Sequence, residues 1–258
     1  MIELTTEQMA AAMGADVIAR GEGGVPVRAE IDSRKLEGGE LFFGLTGGQS
    51  DGGAHASSAI EAGAWGVVVT PERAAALDGT DAFVFAAVDP LLSLQMLARA
   101  WRRQLGATVI GITGSVGKTS VKDITRALLP GSVHASAENF NTEIGLPLTI
   151  LEAPAGTETL VLEMAMRGEG QIAELAVIAE PDIGVITNVG PVHVELLGSI
   201  EAVAAAKAEL ITNMKPEGIV VVPFEAGYLD PHLKDVPGLI RFGGEGDVRV
   251  LELSVAAG

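Results

Sequence analysis

The stretch Val109 to Ser120 reads VIGITGSVGKTS and brings together what phosphate chemistry needs. An apolar run (Val109, Ile110, Ile112) leads into a turn with Gly114 and Gly117, and Lys118, Thr119 and Ser120 follow at once. Successive backbone N–H groups in such a turn point inward and cradle phosphate oxygens. The lysine neutralises β/γ-phosphate charge, and the next hydroxyl can ligate Mg²⁺. The full Walker spacing wants a glycine where Ile112 stands, so the pattern present is T-G-x-x-G-K-T, Thr113 to Thr119. It lies between a strand and a helix-forming run, Val121 to Leu129. It therefore reads as a phosphate loop built from Thr113, Gly114, Ser115, Gly117, Lys118, Thr119 and Ser120, rather than as a turn with a chance lysine.

Other residues invite chemistry more ambiguously. Glu163 closes the run Leu160-Val161-Leu162, where a buried carboxylate is costly unless it meets a cation or water. Beside a phosphate loop, Mg²⁺ is the natural partner; the alternative is a glutamate that opens the next loop. His193 follows a strand through Asn188-Val189-Gly190-Pro191, where it could ligate a metal, donate to a phosphate, or serve structure alone. Lys207 falls on the apolar face of a helix over 200–211, with Ile200, Val203, Leu210 and Ile211. There a lysine must snorkel at the rim of the core, pair, or be chemically neutralised. Asn139, Asn141 and Thr142 gather amides and a hydroxyl in one loop, suited to a substrate or to their own backbone. Near the start, the Ser33 hydroxyl and Arg34 fork of Asp32-Ser33-Arg34 suit a phosphate or uracil edge, and the glycine-rich run from Gly44 to Gly53 gives backbone freedom for close ligand approach; the alternative is a surface turn with an exposed arginine.

Two α/β segments would position these groups. The first, 1–88, offers a helix opened by the capping box Thr5 to Gln8 and closed by Gly14. Strands near 29–31, 40–45, 65–70 and 82–87 follow, with a helix near 57–62. Asp89-Pro90 marks a boundary, and an amphipathic helix over 91–105 opens the second segment, 89–258. There short apolar strands at 109–112, 133–135, 159–163, 183–187, 218–222 and 239–242 alternate with helices. That order predicts a parallel sheet covered on both faces. A strand at 248–253 is expected just before the chain stops, as if the domain were incomplete at its C-terminal end.

A net charge of −17 repels polyanions, so nucleic acid is not expected as a partner and a phosphate must be held by a local site. No apolar run reaches membrane-spanning length, the first residues carry no secretory pattern, and cysteine is absent. Membrane insertion is not expected; a cytoplasmic enzyme is. No N-K-x-D tetrapeptide supports a GTPase.

Taken together, the residues resemble the Mur ligases. The likeness runs nearly the whole chain in order, through IDSRKLEGGELFFGLTG, GITGSVGKTS, NFNTEIGLPLTIL, LEMAMRGEGQIAEL, ITNVGPVHVELLGS and AAAKAEL. TGSVGKTS, rather than TGTNGKTT, points to the branch that joins D-alanyl-D-alanine to UDP-N-acetylmuramoyl-tripeptide in peptidoglycan precursor synthesis. The resemblance implies an N-terminal substrate domain (1–88) and a P-loop-type ATPase domain (89–258), ATP and Mg²⁺, and a monomer. It implies that Lys118 and Thr119 hold ATP phosphates and Mg²⁺, that Glu163 and His193 ligate Mg²⁺, and that Lys207 is carbamylated to make an anionic metal ligand. Lys118, Lys207 and His193 would then be the catalytic residues. It assigns Ser33, Arg34 and Thr46 to the uridine pocket, and Asn139, Asn141 and Thr142 to the substrate and phosphate side. The implied reaction converts the tripeptide carboxylate into an acyl phosphate, which the amine of D-alanyl-D-alanine attacks. Ala165 stands where the family usually has glycine, and Gly53 and His55 depart from a D-G-H-x-F pattern. Family members also carry a third domain. The expectation for residues 1–258 alone is therefore weak nucleotide binding without peptide-bond formation. The alternatives are a catalytically incomplete nucleotide- or UDP-sugar-binding fragment, or another Mur-type ligase.

Overall fold

The computed structural model describes residues 2–47, 51–77, 79–137, 139–192 and 194–252. In chain order the elements are α1 (Thr6–Met13), β1 (Asp16–Ala19), β2 (Ala29–Glu30), β3 (Leu41–Phe43), α2 (Ala56–Glu61), β4 (Gly66–Val69), α3 (Pro71–Ala74), β5 (Phe83–Ala86), α4 (Pro90–Leu105) and β6 (Thr108–Thr113). They continue with α5 (Lys118–Leu128), β7 (Val133–Ala135), α6 (Gly145–Glu152), β8 (Thr159–Glu163), α7 (Gln171–Ala179), β9 (Ile183–Ile186), α8 (Val194–Leu197), α9 (Ile200–Thr212), β10 (Ile219–Pro223) and β11 (Gly238–Phe242). They form two compact units, Met1–Ala107 with Glu143–Glu158, and Thr108–Thr142 with Thr159–Gly258. The expected step at 88/89 thus falls inside the first unit.

The first unit holds a five-stranded sheet, β1-β5-β4-β3-β2, parallel except for β1 at the edge. Its inner strands are buried along their whole length, as their unbroken apolar runs require. On one face Phe42, Val67, Val69, Val84 and Ala86 pack with Ala56 and Ala59 of α2. Helix α4 starts at Asp89, whose Oδ1 accepts from the Leu91 and Leu92 N–H groups at 3.0 and 3.1 Å, with Pro90 in the first turn. Ser93 donates to the Met13 carbonyl at 2.8 Å, tying α4 to α1, and Trp101 Nε1 donates to the Ala153 carbonyl at 3.0 Å, tying it to the end of α6. Those bonds, with packing of α4 on α6, explain why α4 and 143–158 belong to this unit.

The second unit is a wholly parallel six-stranded sheet in the order β11-β10-β9-β6-β8-β7. From β6 the chain crosses to the edge strand β7, returns to β8 between the two, and then builds outward on the other side through β9, β10 and β11. The order therefore reverses beside β6, where such sheets bind ligands at the strands' carboxyl ends. Ile110, Ile112 and Val161 make the core under α5 with Val121, Val133, Ile183 and Val185. On the opposite face Gly111 and Gly184 leave room for Leu210 of α9, whose side chain would lie 3.3 Å from a Cβ at either position. Helix α9 links parallel strands, so it runs back against them, and Lys207, one turn before Leu210, lies nearer the carboxyl ends. The expected strand at 248–253 does not form over 248–252. Val248 makes one isolated bridge to Phe242, and Val248, Val250 and Leu251 are exposed, so no neighbour offers the buried face a strand needs.

Candidate functional site at the carboxyl edge of the parallel sheet

Thr113 ends β6, and the loop 114–117 turns directly into α5. Gly114 has φ +152°, and a Cβ there would overlap Thr187 Oγ1, so only glycine lets the loop lie against the end of β9. Gly117 has φ +81° and stands at the N-cap of α5 without a side-chain cap. The first N–H groups of α5 are therefore left for an outside acceptor, with the positive end of the helix dipole behind them. Lys118 Nζ folds back onto the Gly114 carbonyl at 3.1 Å, which keeps its charge over the loop. The Thr113 hydroxyl is buried without a hydrogen-bond partner among the described residues.

Next to this loop, Thr119 Oγ1 donates to Glu163 Oε2 at 2.8 Å. Asn141 Nδ2 donates to the other carboxylate oxygen, Oε1, also at 2.8 Å. The backbone N–H of Glu163 donates to Ser136 Oγ at 3.1 Å, and Lys122 Nζ donates to the Ser136 carbonyl at 2.7 Å. Glu163 is thus a buried carboxylate at the end of β8 facing a hydroxyl from the phosphate loop, not one that opens the next loop to solvent. A hydroxyl and a carboxylate oxygen this close suit a hard divalent cation that keeps several waters or phosphate oxygens. Among the described residues no three His, Asp or Glu side chains converge.

Lys207 is 1 % exposed, which rules out snorkelling at the rim. Its pKa is drawn down from 10.5 to about 8, by burial first and by the charge of Lys118 second. Burial thus holds its ammonium under the like charge of Lys118, which favours the uncharged amine. His193 lies outside the described residues.

The remaining candidates divide. Asn141 joins the Glu163 cluster, whereas Asn139 and Thr142 are exposed in the loop before it. Ser33, Arg34 and Thr46 lie in the first unit and line a cavity of about 580 Å³ with Phe42, Leu45 and His55. The guanidinium of Arg34 is engaged by Asp32, with Nε and Nη2 at 2.8 Å from its two carboxylate oxygens. That fork, with the Arg34 backbone N–H, holds the Asp32 carboxyl well below the usual carboxylate range. Close backbone approach explains the glycines of this wall: a Cβ on Gly44 would lie 2.7 Å from the Gly53 Cα.

Asn188, Ser136 and Lys122 were not singled out from the sequence. Asn188 sits within the ITNVG block directly after a strand, and that position at a carboxyl edge was the available signal. Its Oδ1 accepts from the Ser115 and Val116 N–H groups, both at 3.0 Å.

A parallel sheet whose reversal point carries a glycine loop, an uncapped helix N-terminus and a lysine defines a P-loop nucleotide-binding unit. The family model for the Mur ligase middle domain matches residues 112–249, more than half of the sequence, and the chain belongs to the Mur ligase family. It is 43% identical over 193 residues to the UDP-N-acetylmuramoyl-tripeptide–D-alanyl-D-alanine ligase of Synechocystis sp., covering 74% of this chain and 42% of that protein. It is 42% identical over 252 residues to the ligase of the same name from Mycobacterium tuberculosis, covering 86% and 48%. Among solved structures, MurF ligase from Thermotoga maritima in complex with ADP superposes with a TM-score of 0.73 at 37% identity, covering 85% of this chain and 51% of that one. The chain spans about half the length of the curated relatives it matches. No helix among the described residues is long and apolar enough to cross a membrane.

Proposed function

We propose that this chain supplies the ATP-binding and UDP-substrate-binding parts of a cytoplasmic ligase that joins D-alanyl-D-alanine to UDP-N-acetylmuramoyl-tripeptide. The observation that carries this reading is the 2.8 Å contact of Thr119 with Glu163 beside the open N-terminus of α5. The named relatives give the reaction its substrates. Backbone N–H groups from Gly117 to Ser120 hold the ATP phosphates, and Lys118 moves from the Gly114 carbonyl onto the β/γ-phosphates. Thr119 and Glu163 hold Mg²⁺, which supplies charge stabilisation to the transferring phosphoryl group.

Lys207 enters as its carbamate. A pKa near 8 leaves about a tenth of the amine neutral at pH 7, against far less for an ordinary lysine, and the neutral amine is the form that adds CO₂. The amine nitrogen bonds the CO₂ carbon and its proton is released to solvent, so the product is an anion, which removes the repulsion from a metal and from Lys118. The cavity with Ser33, Arg34 and Thr46 takes the uridine end of the substrate. The substrate carboxylate attacks the γ-phosphorus, releasing ADP and leaving an acyl phosphate. The D-alanyl-D-alanine amine then attacks that carbonyl, and phosphate and a proton leave. Catalysis on this reading is chiefly positional and electrostatic.

The test has two arms. Calorimetry on this chain should detect Mg·ATP and, separately, UDP-N-acetylmuramoyl-tripeptide. In the protein as its gene encodes it, ADP release should require D-alanyl-D-alanine and yield the pentapeptide product, and Lys118→Ala should lower kcat roughly 10²–10³-fold. Another amino acid supporting turnover in place of D-alanyl-D-alanine would assign the chain to a different ligase of the family. Normal turnover by Lys118→Ala would overturn the role given to the loop.

A further inference from the structure

We infer that Asn188 is a positioning residue for the nucleotide, fixing the direction in which the backbone donors of the phosphate loop face; this rests on the nucleotide reading above. Asn188 stands just beyond the carboxyl end of β9, across from the loop that follows β6. Its carboxamide touches that loop three times. Oδ1 accepts from the Ser115 N–H and the Val116 N–H at 3.0 Å each, and Nδ2 donates to the Val116 carbonyl at 3.2 Å. The neighbouring side chain adds a fourth tie, Thr187 Oγ1 to the Val116 carbonyl at 2.7 Å. Ser115 Oγ and the Gly190 backbone exchange two more, at 2.9 and 3.1 Å.

The consequence follows from peptide geometry. In a planar trans peptide the carbonyl and the next residue's N–H point in opposite directions. Holding the Val116 carbonyl on Thr187 and Asn188 therefore turns the Gly117 N–H away from β9, toward the side of the loop that β9 does not occupy. The same constraint keeps a carbonyl oxygen from facing an incoming phosphate, where it would repel. Gly117 adopts a positive φ, so it has no strong preference of its own and its peptide needs an external constraint. Asn188 and Thr187 supply it, and they do so before any ligand arrives. Donors already aimed do not have to be ordered on binding, which is where preorganisation gains affinity.

A substitution that only loosened the fold would act alike on every part of the second unit. A positioning role acts on phosphate binding and on the loop amides. The experiment titrates Mg·ADP and Mg·ATP into this chain by calorimetry, for the unaltered sequence and for Asn188→Ala, Asn188→Asp and Thr187→Val. Amide hydrogen exchange is measured on each variant without nucleotide. Asn188→Ala should bind Mg·ATP at least about tenfold more weakly, as expected when an ordering cost is transferred to the binding step. Its Val116 amide should lose protection, while Ser115, whose N–H also donates to the Asn188 main-chain carbonyl at 3.2 Å, should lose less and the amides of β6 and β9 keep theirs.

Asn188→Asp keeps an oxygen that can accept from both amides but loses the donor to Val116 and brings a negative charge to the loop. It should fold normally and lose more affinity for Mg·ATP than for Mg·ADP. Thr187→Val removes one bond and should show a smaller loss than Asn188→Ala. Unchanged affinity in folded Asn188→Ala, or in Asn188→Asp should the alanine variant not fold, would overturn the inference. So would protection lost uniformly across β6 and β9. Absence of nucleotide binding by the unaltered chain would instead remove the nucleotide reading and the inference with it.

Discussion

Thr119, in the first turn of α5, donates its hydroxyl proton to Glu163 at the end of β8, and the two oxygens lie 2.8 Å apart. A hydroxyl aimed at a carboxylate beside an anion site is an arrangement a divalent cation can enter by replacing one shared proton contact with two metal–oxygen contacts. Glu163→Gln keeps the shape and one acceptor oxygen but removes the charge. We expect Mg·ATP binding to weaken at least about tenfold, because the cation loses its charged ligand. Metal-free ATP in EDTA should bind no worse, since a carboxylate next to its phosphates has gone. Calorimetry with and without Mg²⁺ separates the two; an equal loss in both would sink the metal assignment.

Gly114→Ala tests how closely the loop must lie on β9. The added methyl would overlap Thr187 Oγ1 and also sit at φ +152°, a conformation that L side chains rarely adopt. Relief requires the loop to leave the β9 end, which breaks the ties to Asn188 and Thr187. The expected result is loss of measurable nucleotide binding, with a destabilisation of about 1–3 kcal/mol, the scale for one strained backbone position. Binding at the unaltered level would show that the loop does not depend on this approach.

Thr113 carries an opposing pair of effects. Its buried hydroxyl has no hydrogen-bond partner among the described residues. Thr113→Val removes that unsatisfied group at nearly constant shape, so the nucleotide-free chain should gain about 1 kcal/mol and melt higher. If the hydroxyl finds its partner only when the loop is filled, Mg·ATP affinity should fall in the same variant. A thermal melt and a titration on one preparation check both; a variant that melts lower would contradict the first expectation.

How much of this was legible in the sequence depended on the range of the interactions. The phosphate loop and the edges of most strands follow from local apolar runs and glycine placement; β7 and β8 fall at 133–135 and 159–163 as expected. The Thr5–Gln8 capping box and the Gly14 stop are also present, because both are local hydrogen-bond motifs. Strand β1 was missed: four residues with no fully buried position, held at an edge by pairing with β5, leave no periodic pattern. The membership of α4 and α6 in the first unit depends on contacts such as Trp101 with Ala153, fifty-two residues apart, which no window reveals. Lys207 was anomalous in the helix pattern alone, yet its full burial needed the packing of α9 on Gly111 and Gly184. Asn188 was marked only by its place directly after a strand: nothing in its own neighbourhood says that its amide reaches the loop seventy-odd residues earlier.

The last expectation concerns pH and Lys207. Its folded pKa is about 8 against 10.5 for an ordinary lysine, and burial is the main cause. Between those two values the unfolded chain binds more protons than the folded one, so stability rises with pH through that window. Below pH 8 both states are protonated and the folded chain carries the full cost of a buried ammonium. Lys207→Met fills similar space without charge and should therefore melt higher than the unaltered chain at pH 7. Its advantage should shrink as pH rises through 8 toward 10.5, and vanish above it. Bicarbonate should change the comparison: a carbamate on Lys207 with Mg²⁺ present would stabilise only the unaltered chain. Paired melts at pH 7 and pH 10, in CO₂-free buffer and then with bicarbonate and Mg²⁺, read each step. A constant difference between the two proteins across this range would mean that Lys207 does not titrate in the folded state as its burial requires.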